Sequence, residues 1–110
     1  MSKSLNFNNL KKRYLTVTLP DEKQSVLMIG TPTKAIFDEL LNMKDALEGE
    51  SVTDDAINDL YEICAKIMSR NKTGRVITME TVQDLFDFED IIIFVRAYTE
   101  FINEVSSAKN

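Results

Sequence analysis

The feature that most constrains the fold is an alternation of apolar and polar side chains in residues 14–19. Within "YLTVTLP", Leu15, Val17 and Leu19 alternate with Tyr14 and two threonines, which is the period of a half-buried β-strand. The polar "DEKQ" after Pro20 predicts a turn, and "SVLMIG" predicts the returning strand of an antiparallel hairpin. Because an isolated hairpin is only marginally stable in water, its apolar side must pack on the rest of the chain.

Beyond residue 30 the apolar residues recur at the spacing of α-helices. The predicted helices cover about residues 32–48, 54–71, 79–86 and 88–106. The sequence therefore predicts an α+β fold, in which an N-terminal antiparallel β-hairpin packs on a small bundle of three to four α-helices.

The predicted helix boundaries depend on a few capping residues. Three threonines precede helices and are predicted to cap them: Thr31, Thr53 and Thr78. Pro32 suits the first position of the first helix, and Gly74 is the predicted left-handed cap after the second. Asp87 with Asp90 predicts a new start for the last helix, although a kinked continuous helix from residue 79 is an open alternative.

The length of 110 residues fits a single domain. We assign residues 14–106 to one globular domain, residues 1–13 to a flexible N-terminal arm and residues 107–110 to a tail. The arm is rich in asparagine and lysine, and its only apolar anchors are Leu5, Phe7 and Leu10.

The charge and the cysteine content limit the cellular compartments and the classes of partner that the sequence predicts. The net charge of −5 disfavours general binding to phosphate backbones and to anionic lipid. No apolar run approaches the eighteen or so residues that cross a bilayer, and the first residues do not resemble a signal peptide. A lone cysteine cannot form an intrachain disulfide, so we expect a cytoplasmic protein that does not act at a membrane.

The residues needed for common catalytic sites are missing. The chain has no histidine, which excludes Ser-His-Asp and Cys-His arrangements and imidazole metal ligands. Cys64 lies on the predicted apolar stripe of the second helix, and the three glycines are too scattered for a phosphate-binding loop. Carboxylates fall at helix starts and on polar faces, where capping accounts for them. We therefore predict no enzyme activity, no catalytic residues, no cofactor, no metal and no small-molecule substrate.

The last helix has more apolar surface than one buried stripe requires. A helical wheel gathers seven apolar residues into one arc, the predicted core stripe: Ile91, Phe94, Val95, Tyr98, Phe101, Ile102 and Val105. Ile92 and Ile93 lie outside it, on the side shared with Arg96. Either the hairpin and the short helix at 79–86 cover these isoleucines, or Ile92, Ile93 and Arg96 form a partner-binding surface that another chain buries.

The order of these elements resembles a known family. The stretch "YLTVTLPDEKQSVLMIGTPTKAIFDELLNM", a middle helix and then "FDFEDIIIFVRAYTEFINEV" are similar to the small tail assembly chaperones of long-tailed phages and prophages of Gram-positive bacteria. The resemblance covers roughly residues 14–105 and consists of the strand ending in "LPD", the "TPTK" entry to a helix and the acidic-then-apolar last helix.

The resemblance implies a function in phage assembly. Members of that family bind the tape-measure protein in the host cytoplasm, keep its apolar helical segments soluble before the tail tube polymerises, and are absent from the mature virion. The tape-measure protein is thus the expected partner, with the tail tube protein and a homo-oligomer as further candidates. The family supplies no catalytic residues.

A different class of function starts from the basic cluster in "SRNKTGR". Arg70, Lys72 and Arg75 lie together at the end of the second predicted helix. Such a cluster often only complements the negative C-terminal end of a helix. A small prophage regulator that binds DNA through Arg70–Arg75 is the alternative hypothesis, and the acidic net charge disfavours it.

Overall fold

The computed structural model describes the backbone of residues 3–47 and 52–107 and the side chains of 3–43 and 52–107. The expected α+β fold is confirmed: a two-stranded antiparallel hairpin precedes four α-helices. The elements are a 3-10 turn at Phe7–Asn9, β1 (Leu15–Thr18), β2 (Val26–Ile29), α1 (Lys34–Leu47), α2 (Asp54–Met68), α3 (Met79–Leu85) and α4 (Phe88–Ser107). The predicted turn at 48–51 and most of the predicted tail lie outside the described residues, as does the Leu47 side chain.

The hairpin follows the predicted alternation. Leu15 pairs with Ile29 and Val17 with Leu27, so that the apolar side chains of both strands share one face. Leu27 and Ile29 are buried there. The turn is held by Asp21, whose carboxylate accepts hydrogen bonds from the Ser25 amide at 2.8 Å and the Ser25 hydroxyl at 2.7 Å. These bonds lower the pKa of Asp21.

Helix α1 starts later than predicted. Thr33, not Thr31, accepts the bond from the Ile36 amide at 3.3 Å, and Pro32 lies before the cap. The reason is that Thr31 is held elsewhere: its carbonyl accepts a bond from Arg70 Nε at 2.8 Å. A residue that precedes proline is also disfavoured in helical conformation, so Thr31 stays outside the helix.

Helix α2 is the centre of the molecule. It packs against β2, α1, α3 and α4, and six of its residues are buried: Leu60, Ile63, Cys64, Ala65, Ile67 and Met68. The predicted Thr53 cap is confirmed by its bond from the Ala56 amide at 3.1 Å. Every layer of the fold is thus assembled on one apolar helix.

The link between α2 and α3 differs from the prediction. The α2 helix ends at Met68 with Ser69 as its cap, short of the predicted residue 71. Gly74 does have a positive φ of 77°, but it closes the next turn by donating to the Asn71 carbonyl at 3.1 Å and does not cap the helix. Asn71 is buried, and its side-chain amide donates to the carbonyls of Met68 and Arg75 at 2.9 and 2.7 Å. The turn therefore replaces the expected helix cap.

The break before α4 is real. Phe86 is extended, with φ −119° and ψ 131°, and α3 ends at Leu85. Asp87 and Asp90 then cap each other: the Asp90 amide donates to Asp87 Oδ1 at 2.8 Å, and the Asp87 amide donates to Asp90 Oδ2 at 3.1 Å. The alternative of a kinked continuous helix is therefore wrong, and α4 begins at Phe88 as a separate element.

The arm does not pack on the core. All of its described residues, 3–13, are exposed, including Leu5, Phe7 and Leu10. Within residues 3–13 the one regular element is the 3-10 turn, whose start is capped by Asn6 accepting a bond from the Asn8 amide. Flexibility of the arm remains a prediction.

Candidate partner-binding grooves

The structure places the three predicted partner-binding residues on two sides of α4. Ile92 and Arg96 line a groove between α4 and α1. Ile93 lines a different groove, between α4 and β1. The single surface expected from the sequence is therefore divided, because consecutive helical residues are separated by about 100° around the axis.

The first of these, the α1–α4 groove, is mostly apolar and has a volume of about 550 Å³. Its lining comes from two helices that both pack on α2: Phe37, Leu40 and Leu41 from α1, and Ile92, Val95, Arg96, Thr99, Glu100, Ile102 and Asn103 from α4. Leu40 is buried at its base, whereas Leu41 on its wall is 48% exposed. The groove is thus an open apolar trough beside the core.

A smaller depression extends this trough toward the end of α4. Phe37 and Ile102 line both depressions, and Pro32 and Val105 lie at the far end of the second. From Ile92 to Val105 the axis of α4 rises by roughly 20 Å, at about 1.5 Å per residue. The combined trough therefore matches three to four turns of another helix.

Sequence reasoning assigned part of this trough to the core. Val95, Ile102 and Val105 were placed in the core stripe with Ile91 and Tyr98, but they are only half-buried, whereas Ile91 and Tyr98 are fully buried. A signal for the trough does exist in α1. The neighbouring pairs "IF" and "LL" make the apolar stripe of that helix wider than one packing contact requires. Phe37 and Leu41, which belong to these pairs, were not predicted as site residues.

The polar groups around the trough do not converge on a point. The Thr99 hydroxyl donates to the Val95 carbonyl at 2.8 Å within its own helix. Arg96 and Glu100 are exposed, and Lys34 pairs with Asp38 at 2.8 Å on the surface of α1. Small-molecule sites use a few convergent polar groups to fix a ligand, whereas this lining offers a continuous apolar strip with charged margins. Such a strip is suited to an amphipathic helix.

The second groove, the β1–α4 groove, has a volume of about 320 Å³. The β1 strand and Pro20 form one wall, and the other wall consists of Phe86, Asp90, Ile93, Phe94 and Ala97. Ile93 is 58% exposed in it. The hairpin and the residue after α3 border this isoleucine, as one of the two sequence interpretations expected, but they leave most of it uncovered.

The basic cluster at residues 70–75 is exposed but partly engaged within the protein. Arg70 donates to the Thr31 carbonyl, and Lys72 Nζ lies 5.7 Å from the centre of the Tyr14 ring. Lys72 also donates its amide to the Met28 carbonyl at 2.8 Å. The cluster thereby ties the end of α2 to the hairpin.

Cys64 is fully buried in α2, where we expected a core side chain. Burial raises the pKa of its thiol to about 12, so the thiolate that nucleophilic chemistry needs does not form near neutral pH. Among the described residues there is no group of three or more His, Cys, Asp or Glu side chains that could hold a metal ion.

Two further findings bear on function. Within the described ranges, none of the helices has the length and apolar character needed to cross a membrane. The chain matches no protein-family model, no curated protein and no solved structure. Function therefore has to be inferred from the two grooves.

Proposed function

We propose that this protein is a tail assembly chaperone of a long-tailed phage or prophage. It binds apolar helical segments of the tape-measure protein in the host cytoplasm, keeps them soluble until the tail tube polymerises, and is absent from the finished virion. The proposal joins the resemblance of residues 14–105 to that family with the apolar trough between α1 and α4.

The α1–α4 groove is the observation that carries this proposal. Leu41 is exposed in it, and Phe37 and Ile92 are half-buried, with Ile92 also packed against the core; a helix of another chain would cover what remains exposed of these side chains. Fully burying an exposed side chain of this kind is worth about 1.5–3 kcal/mol, and covering the exposed part of these three contributes a fraction of that for each, so several contacts along the groove are needed for a stable complex. The binding mode is an amphipathic helix in a groove.

The charge of the molecule suits the same task. A net charge of −5 keeps a complex soluble while its apolar surfaces are covered. Arg96 and Glu100 at the margin of the groove offer contacts of both signs to the polar face of a client helix. A client helix with one apolar face and one face of mixed charge is therefore favoured over a helix that is apolar all round.

The alternative of a DNA-binding regulator has less support. Arg70 and Lys72 hold the hairpin to the end of α2, which gives the basic cluster a role within the fold. The surrounding protein is acidic, which weakens attraction to phosphate. We do not adopt the regulator as a second candidate.

Co-expression tests the chaperone proposal. The full chain is produced together with a candidate phage tape-measure protein, and the soluble fraction of the tape-measure protein is measured. We expect the wild-type chain to raise that fraction and Leu41→Asp to lose the effect, because the charge enters the middle of the trough. Leu41 is partly exposed, so the variant should remain folded.

Val76→Asp is the matched control, since Val76 is an apolar residue that is 76% exposed and does not line either groove. It should retain wild-type activity. If the tape-measure protein stays insoluble with the wild-type chain, or if Leu41→Asp works as well as Val76→Asp, the proposal fails.

A further inference from the structure

Among the residues that the structure describes, none forms a strand beside the β1 edge of the hairpin. The Leu19 amide donates to the Ser25 carbonyl at 2.8 Å, and this register directs the backbone groups of Leu15 and Val17 toward β2. By the same alternation, the N–H and C=O groups of Thr16 and Thr18 point away from the hairpin. These groups lie along the β1–α4 groove.

The other edge of the hairpin is already covered. The Met28 carbonyl accepts the Lys72 amide at 2.8 Å, and the Gly30 amide donates to the Arg70 carbonyl at 3.0 Å. The β1 edge is therefore the one that can accept another strand. An uncovered edge of this kind is a ready site for pairing with an extended segment.

The β1–α4 groove beside this edge is apolar at its floor and acidic at one end. Ile93 and Phe94 contribute apolar surface, and Asp90 lies in the lining. Asp87 and Glu89, which are exposed, adjoin it at the start of α4. A segment that fills this groove should thus combine large apolar side chains with basic ones.

The arm at residues 3–13 combines apolar and basic side chains in this way, and its described residues do not pack on the core. Leu5 and Phe7 are each 68% exposed. The arm contains Lys3 and the run Lys11–Arg13, and all 18 acidic residues of the chain lie beyond it. Its basic and apolar character is complementary to the acidic and apolar groove.

We propose that the arm of a second copy of this chain lies along β1 in the β1–α4 groove, and that the two copies exchange arms reciprocally. The arm pairs its backbone with Thr16 and Thr18, its apolar side chains cover Ile93, and its basic run faces the acidic start of α4. The three-residue 3-10 turn at Phe7–Asn9 opens in the process, at little cost because none of its side chains is buried.

A second copy fits better than the arm of the same molecule. To bring its basic run into its own groove the arm would have to reverse direction within "KKRY", residues 11–14, immediately before β1. That stretch contains no Gly, Pro, Asn, Asp or Ser, and its three adjacent positive charges repel one another in a tight turn. The described residues of the arm are instead all exposed, which leaves them available to another molecule.

Reciprocal exchange also supplies enough interface. A single short segment in one groove buries less than specific complexes usually need, about 1,000 Å² or more in total. A two-fold arrangement doubles the contact and closes the assembly as a dimer. The α1–α4 groove lies on the other side of α4 and stays free for a client, so this inference does not depend on the proposed function.

The test is the mass of the full-length protein in solution by sedimentation equilibrium. We expect a dimer for the wild type, and at least about tenfold weaker association for Phe7→Asp and for Ile93→Asp. Both residues are exposed in the protomer, so circular dichroism should show both variants folded. Val76→Asp, which alters an exposed valine outside this groove, should remain a dimer.

A mixing experiment separates arm exchange from other modes of association. Phe7→Asp retains an intact groove, and Ile93→Asp retains an intact arm. An equimolar mixture should form a heterodimer in which one arm–groove contact is intact and both substitutions fall on the other. Because Phe7 and Ile93 are proposed to belong to the same contact, their effects should not add, and the heterodimer should be tighter than either variant homodimer. A wild-type monomer, a dimer that survives Phe7→Asp, or two variants that do not complement each other would overturn the proposal.

Discussion

Tyr98 shows how single residues join the parts of this fold. Its side chain is fully buried, and its hydroxyl donates to the Gly30 carbonyl at 2.9 Å, which links α4 to the end of the hairpin. Burial raises the pKa of this hydroxyl to about 12, compared with the ordinary value of 10. Ionisation of Tyr98 is therefore coupled to unfolding.

The sign of this coupling gives a prediction at alkaline pH. Between about pH 10 and 12 the unfolded chain loses the Tyr98 proton before the folded chain does, so the free energy of unfolding falls as pH rises. Tyr98→Phe should be about 1 kcal/mol less stable near pH 7, where it lacks the hydrogen bond. Above pH 10 its stability should fall less steeply than that of the wild type, which urea unfolding at a series of pH values would measure. Parallel curves up to pH 11 would exclude Tyr98 as a source of the alkaline loss.

Local capping was predictable from sequence only where the tertiary structure did not compete for the residue. Thr53 and Thr78 cap their helices as expected, because each lies in an exposed link and its hydroxyl has no distant partner among the described residues; the second contact of the Thr78 hydroxyl, to the Thr81 hydroxyl at 3.0 Å, lies in the same first turn. The same reasoning predicted that Thr31 caps the first helix. That prediction was wrong, because the Thr31 carbonyl is bound by Arg70, 39 residues away in the chain. That distant contact leaves no local signal.

Among the secondary-structure elements, the strands of the hairpin were predicted best, whereas the conformation of the turn between them was predicted least well. The period of two predicted which side chains of β1 face the core, and β1 follows it residue by residue, whereas the four residues of β2 are all apolar and only the pairing with β1 shows that Leu27 and Ile29 face inward. The turn conformation was not predicted: Gln24 adopts a φ of 50°, in a region that favours glycine and asparagine. The strain is confined to one exposed residue.

Relief of this strain should stabilise the hairpin. Gln24→Asn should raise the free energy of unfolding by about 0.5 kcal/mol, because asparagine tolerates the left-handed region better than glutamine. The melting temperature should rise by about 2–4 °C in a thermal scan. The substitution of the exposed neighbour Lys23 by Asn is the control and should leave stability nearly unchanged. A loss of stability in Gln24→Asn would show that the glutamine side chain contributes to the turn.

Helix α4 shows what an apolar pattern can and cannot predict. The wheel correctly separated Ile91, Phe94 and Tyr98 from the polar face, since these residues are buried. It could not show that Val95 and Ile102 face an open trough, because that depends on how far apart α1 and α4 sit on α2. Helical periodicity reports which side is apolar, and the positions of neighbouring helices decide what covers it.

At the scale of the whole molecule, the fold class could be predicted because a single hairpin has to pack on helices. The site could be predicted only in part: Ile92 and Arg96 line one groove together, but Ile93 belongs to another. The two grooves divide the surface of α4 between a proposed client and a proposed second copy. Substituting Ile92 and Ile93 together would damage both surfaces at once, so the two residues have to be tested singly.

The central claim is that the α1–α4 groove receives a helix from another protein. The most direct measurement is a methyl NMR titration of the isoleucine-labelled full chain with a peptide spanning an apolar helical segment of the tape-measure protein. The account predicts that the methyl signals of Ile92 and Ile102, which line the groove, shift on binding, while those of Ile93 and Ile57 do not. Unchanged spectra at saturating peptide, or shifts confined to Ile93 or to Ile77 near the basic cluster, would contradict it.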